Sequence, residues 1–165
     1  MIVYRYIFLL SFLLFSCKHT TETTNTVSSS TSIEYTKSVS ALKKELTDKG
    51  FQIFDYVDEK SGDTILMQQY FMAFLKRGET IDQDKKTVDS LQKLHLAHLG
   101  KMYELGYADI SGPFGDDGDI RGITIYNTPT LRIADSLAKS DPMVQAGRLE
   151  IEIHPWWAAK GFSLR

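Results

Sequence analysis

His95 carries the strongest chemical signal in the chain. It falls inside a run of apolar residues at helical spacing, Val88, Leu91, Leu99 and Met102. An imidazole on an apolar face must find a hydrogen-bond partner. Histidine is also the side chain whose charge changes most readily near neutral pH. Two readings follow: a general acid or base, or a core histidine bonded to a backbone carbonyl. Asp141 likewise reads in two ways. With Pro142 after it and Gly147 beyond, it fits an aspartate N-cap, proline at the first helical position and glycine past the end. It also fits a carboxylate that orients His95. A carboxylate has two oxygens, so both roles can hold at once.

The other chemistry-bearing residues are less specific. His98 follows His95 by three positions, a spacing that can bind a metal, but no third ligand is evident, so no metal is expected. Asp116, Asp117 and Asp119 lack the ligand pattern of a calcium loop and suit a hairpin turn better. Arg121, just after that turn, reads either as a surface arginine or as a holder of an anionic substrate. Glu150, Glu152 and His154 share the polar side of one strand and either face water or line a dimer seam. Trp156 and Trp157 are expected to pack a sheet end or cover a pocket. No serine or cysteine nucleophile arrangement is evident. Gly112-Pro113-Phe114-Gly115 lacks the helix start that a phosphate-binding loop needs, and no cofactor is implied.

The elements that must position these residues are legible as patterns. Val39, Leu42 and Leu46 predict a helix over 36–49. Residues 51–57 and 64–75 predict a hairpin, with Ser61-Gly62-Asp63 as its turn. A long helix through His95 follows and ends at Gly106. Strands are expected over 107–114 and 120–127, a helix over 130–139, and a last strand where Leu149, Ile151 and Ile153 alternate with charged residues. From Gln69 the order is β-α-β-β-α-β. That predicts an α+β, ferredoxin-like domain: an antiparallel four-stranded sheet with two helices on one face, extended at its N-terminus by the helix and hairpin. The strand 70–75 is apolar on both sides. Its second side is expected to meet a second copy of the chain or the N-terminal elements.

The chain has 165 residues and a formal net charge of -2, which suits one domain and no nucleic-acid partner. Its first residues are not read as part of that domain. Arg5 precedes an apolar run that ends Leu14-Phe15-Ser16-Cys17. The run is the size of a signal-peptide core and too short to span a bilayer. Cys17 is the only cysteine, at the position a bacterial lipobox requires, and it is expected to be lipidated. Residues 1–17 are thus read as a lipoprotein signal. The Ser/Thr-rich stretch 18–32 is read as a disordered tether, because it is too polar to offset its ordering entropy. A bacterial envelope location, with the membrane reached through the lipid, follows from these readings.

Several motifs together resemble one family. Tyr70-Phe71-Met72-Ala73-Phe74-Leu75-Lys76-Arg77-Gly78 resembles the opening strand of the YCII-related domain, and His95-Leu96-Ala97-His98-Leu99 its first-helix motif. Gly112-Pro113-Phe114-Gly115-Asp116, Asp141-Pro142-Met143-Val144-Gln145-Ala146-Gly147 and His154-Pro155-Trp156-Trp157 resemble its later motifs, in order. The YCII-related domain is accordingly placed at 69–165, with 33–68 as its N-terminal extension. One departure is Glu79, where a proline often follows the strand-ending glycine. The resemblance implies a ferredoxin-like fold, usually dimeric, with a histidine and an aspartate, here His95 and Asp141, as an active-site pair. It also implies a small-molecule ligand: a few relatives are dehydrochlorinases of muconolactone-like substrates. The implied function is acid–base chemistry on a small organic acid; the alternative is a non-catalytic binding or assembly module.

Overall fold

The computed structural model describes residues 37–164. The expected signal, the lipidated Cys17, the tether at 18–32 and the start of the extension lie outside the described residues. No helix among the described residues is long and apolar enough to cross a membrane.

The elements run α1 (Val39–Asp48), β1 (Ile53–Val57), β2 (Thr64–Arg77), α2 (Lys85–Glu104), β3 (Ala108–Pro113), β4 (Ile120–Tyr126), α3 (Leu131–Lys139), α4 (Pro142–Gln145) and β5 (Leu149–Ala159). Each helix start has a local cause. Ser38, Asp84, Thr130 and Asp141 are the N-caps of α1, α2, α3 and α4, and each side chain accepts a backbone N–H from the first turn.

Strand β2 organises the sheet. Residues 71–76 pair with both β4 and β5, so these two strands occupy opposite edges of β2. Met67 and Gln68 pair with both β1 and β5, so β1 lies on the same edge as β4, end to end with it. β3 completes the sheet on the far side of β4, and every pairing is antiparallel. The order β5-β2-β4-β3 is the ferredoxin-like arrangement, and β1 is a hairpin extension of its first strand.

Directly paired residues share a face. Phe71, Ala73 and Leu75 face α2 and α3. There Phe71 and Ala73 pack with Met102, Ala108, Tyr126, Ala134 and Ala138, and Leu75 packs with Met143 and Leu149. On the opposite face the pairing collects Tyr70, Met72, Phe74, Ile123, Ile125, His154 and Trp156. Part of that face is open: Met72 and Phe74 are half-buried and Trp156 is 40% exposed. Toward β1 it is closed, with Leu66 and Gln68 buried. Lys43 of α1 meets Asp55 at 2.6 Å, on the side that Asp55 shares with Leu66.

β5 is 11 residues long and continues past the alternating segment through Pro155, Trp156 and Trp157. The tryptophans therefore point to opposite faces. Trp156 stacks near Tyr70 with ring centroids 6.2 Å apart, and Trp157 lies 5.0 Å from Phe54 of β1. Neither covers the cavity described below.

Candidate functional site

The imidazole of His95 and the carboxylate of Asp141 meet beneath a cavity at one end of the sheet. His95 Nδ1 lies 2.6 Å from Asp141 Oδ2, across 46 residues of sequence. Both side chains are buried, Asp141 to 2% exposure. The other Asp141 oxygen, Oδ1, accepts the backbone N–H of Met143 at 2.8 Å. The aspartate is thus a helix cap and a histidine partner at once, one oxygen for each. α2 delivers His95 from its apolar stripe. Asp141 comes from the sharp junction between α3 and α4, where Pro142 pre-sets the first helical residue.

The geometry fixes the proton inventory of a neutral His95. An ionised carboxylate is an acceptor only, so Nδ1 must donate to Asp141. The proton-free nitrogen is then Nε2, the one Asp141 does not hold. This is the orientation a base requires, and it is set by the group behind it.

In front of His95 is a cavity of about 350 Å³. Its apolar lining includes Leu75, Leu99, Met143 and Leu149, and its polar lining includes Gln92 and three arginines, Arg77, Arg121 and Arg148. No aspartate or glutamate lines it. Arg121 occupies a bulge in β4: Leu75 pairs with Gly122 and Lys76 with Ile120, so Arg121 has no partner in the ladder with β2. Bulges re-aim a side chain, and here the guanidinium comes to the cavity wall. Arg121 donates to Asp117 Oδ1 and to the Gly118 carbonyl, both at 2.9 Å.

Sequence reasoning missed two of the three arginines. Arg77 closes β2 and Arg148 precedes β5. Each is placed by strand pairing, and pairing leaves no mark in the local pattern. Gly147, at φ 69°, turns the chain out of α4 into Arg148 and β5. A Cβ there would sit 2.7 Å from Thr80 Oγ1, a second reason for glycine.

The remaining candidates fall elsewhere. His98 lies one turn along α2 from His95, and its Nε2 is buried with no hydrogen-bond partner. Burial holds its imidazole below the ordinary histidine range, against the pull of the Asp141 carboxylate. Among the described residues no group of three or more His, Cys, Asp or Glu side chains is placed to hold a metal ion. Glu152 and His154 pair with each other at 2.8 Å on the exposed side of β5, and Lys76 reaches Glu152 at 3.2 Å. Asp116 and Asp117 lie in the turn between β3 and β4, whose Gly118 N–H is held by Asp116.

No family model matches the chain, and no curated protein matches it. Among solved structures it is similar to 5-chloro-2-hydroxyhydroquinone dehydrochlorinase from Burkholderia phenoliruptrix, in complex with 2,5-dihydroxybenzoquinone. That similarity has 18% sequence identity and a TM-score of 0.40, over 52% of this chain and 92% of that one.

Proposed function

We propose that the chain is a lipid-anchored envelope protein whose YCII-related domain is a cofactor-free acid–base catalyst acting on a small organic acid. The observation that carries the catalytic part is the buried His95–Asp141 pair at 2.6 Å beneath a cavity whose wall includes three arginines. Nε2 of His95 takes a proton from carbon next to the acid group. An arginine holds the carboxylate and the charge that develops on it. The electron pair left on carbon then expels a leaving group from the adjacent carbon, in elimination, or is reprotonated elsewhere, in isomerisation. Hydrolysis uses the same base to activate water.

The experiment is a screen of the full chain against lactones and halogenated acids, run in parallel with His95→Asn. Any genuine turnover is expected to fall about 10²–10⁴-fold in the variant, the usual worth of a positioned general base. Turnover that survives His95→Asn unchanged sinks the assignment.

The anchor is tested separately. Cys17→Ala is expected to abolish fatty-acid labelling and to move the protein from the membrane to the soluble fraction. A wild type that takes up no fatty acid, with a variant that stays in the membrane, contradicts it.

A second reading, a dimeric ligand-binding or assembly module, is favoured by the half-open apolar face around Met72, Phe74 and Trp156. We propose a homodimer through this face under either reading. Sedimentation at about micromolar concentration, where a specific interface of standard size holds together, should give twice the chain mass. A strict monomer would mean that, among the described elements, α1 is what covers that face.

A further inference from the structure

We propose that the cavity is a two-point receptor for a dianion, a small ring or short chain carrying two acid groups, and that Asp117 is the internal counter-ion which such a ligand displaces. This rests on reading the cavity as the reaction site, and it adds what that site selects.

The inference comes from how the three arginines are neutralised. Arg148 donates to two neutral acceptors, Gln83 Oε1 at 3.1 Å and the Ile81 carbonyl at 3.5 Å. Gln83 is itself fixed, since its Nε2 donates to the Ala146 carbonyl at 3.3 Å. The guanidinium is therefore oriented without losing its charge. No carboxylate lies within ion-pair distance of Arg148 among the described residues. A half-buried, pre-oriented and unneutralised arginine on a cavity wall is suited to a carboxylate.

The other two arginines share one partner. Asp117 Oδ1 lies 2.9 Å from Arg121 and 3.6 Å from Arg77. Asp117 is 93% exposed and sits in the turn between β3 and β4. An ion pair so exposed contributes little to stability. It does hold two guanidinium groups beside the cavity until a better-buried anion replaces it. The wall thus presents two cationic points: Arg148, with no carboxylate partner among the described residues, and the Arg77–Arg121 pair, which shares Asp117. One acid group on Arg148 and one on the Arg77–Arg121 pair would engage both points. A monoanion would engage only one of them. A volume of about 350 Å³ is at the small end for small-molecule sites, which limits the occupant to about one ring.

Calorimetric titration of the full chain with benzoate, phthalate, isophthalate and terephthalate tests this, at a pH where all carboxylates are ionised. The three isomers act as a ruler for the spacing of the two points. At least one dicarboxylate is expected to bind about tenfold or more tighter than benzoate, as a second charge-assisted contact should give. Arg148→Gln should bring that ligand to within about threefold of benzoate, and Arg148→Lys should retain part of the preference. Asp117→Asn, which removes the competing charge, should tighten the same dicarboxylate about threefold or more while changing benzoate less.

The proposal is overturned if benzoate and all three dicarboxylates bind alike, or if none binds. It is also overturned if a folded Arg148→Gln protein, with wild-type melting, keeps the full preference. His95→Asn separates the two ideas. Dianion selectivity that persists in this variant with no turnover to lose keeps the receptor and discards the catalyst. Turnover of a monoanion that disappears in His95→Asn, with no dianion preference anywhere, keeps the catalyst and discards the receptor.

Discussion

Asp141→Asn should leave the domain folded and yet remove the base, because it reverses the tautomer of His95. The carboxylate of Asp141 gives one oxygen to the Met143 N–H and the other to His95 Nδ1. An asparagine can keep the first contact with its carbonyl oxygen, so the cap survives. It must then present its NH₂ group to His95. Two donors cannot share a hydrogen bond, so Nδ1 becomes the acceptor and the ring proton moves to Nε2. The nitrogen left free to face a substrate would then carry a proton instead of a lone pair. In Ser-His-Asp enzymes the same change lowers turnover about 10⁴-fold. A loss of that order is expected here for any reaction that depends on His95. The imidazole ¹⁵N shifts read the tautomer directly, whether or not a substrate is in hand. Asp141→Ala is a different experiment. It deletes the cap, at about 0.5–2 kcal/mol, and leaves a buried imidazole N–H unpaired, at about 1–3 kcal/mol. Urea unfolding should therefore show a loss of about 2–4 kcal/mol. An asparagine variant with an unchanged tautomer, or an alanine variant within about 0.5 kcal/mol of wild type, the range of an ordinary surface substitution, would contradict this account.

Only half of the pair was legible from local pattern, and the resemblance to the YCII-related motifs supplied the pairing. His95 interrupts an apolar stripe, and Asp141 begins a helix whose other punctuation is complete. Sequence could name both but not their separation, which depends on two helices docking on the same face of one sheet. The order of elements was legible for a similar reason: the periods of 3.6 and 2 are strong in α2 and at the start of β5. The second half of β5 was not. Pro155, Trp156 and Trp157 destroy the alternation, and a proline argues against a strand interior. The pairing explains the exception, because β5 is an edge strand that pairs only with β2, so one of its two edges has no ladder to complete. The arginine arrangement was invisible for a deeper reason. Arg77 and Arg148 lie at strand ends, and Arg121 reaches the cavity through a one-residue bulge. Neither a register nor a bulge is written into side-chain chemistry. Asp117 looked like a turn residue, which it is, and its hold on two arginines exists only once the strands are paired.

Gly78→Ala should be strongly destabilising, because the space the added methyl group would fill is already occupied by backbone. A Cβ on Gly78 would lie 2.2 Å from the Gly147 carbonyl oxygen and 2.8 Å from the Arg148 carbonyl carbon. Neither atom is the end of a flexible side chain, so a strand must move. The segments are tied there by two hydrogen bonds, Gly78 N–H to the Arg148 carbonyl at 2.9 Å and Thr80 N–H to the Gly147 carbonyl at 3.0 Å. Overpacking of this kind costs about 1–3 kcal/mol, and losing two backbone hydrogen bonds adds about 1 kcal/mol each. A total of about 3–5 kcal/mol is expected, which lowers Tm by about 10 °C or more for a domain of this size. The displacement should also reach the cavity, since the segment that moves carries Arg148 and faces the 81–83 loop that orients it. Gly100→Ala is the control. Gly100 lies inside α2, and a Cβ there meets nothing within 4 Å. The same methyl group should therefore stabilise the chain, by about 0.5–1 kcal/mol, through helix propensity alone. Thermal melts of the two variants should thus move in opposite directions. A Gly78→Ala protein melting within about 2 °C of wild type, a shift worth well under 1 kcal/mol, would mean that the close approach of β2 to the start of β5 is not what holds Arg148 in place.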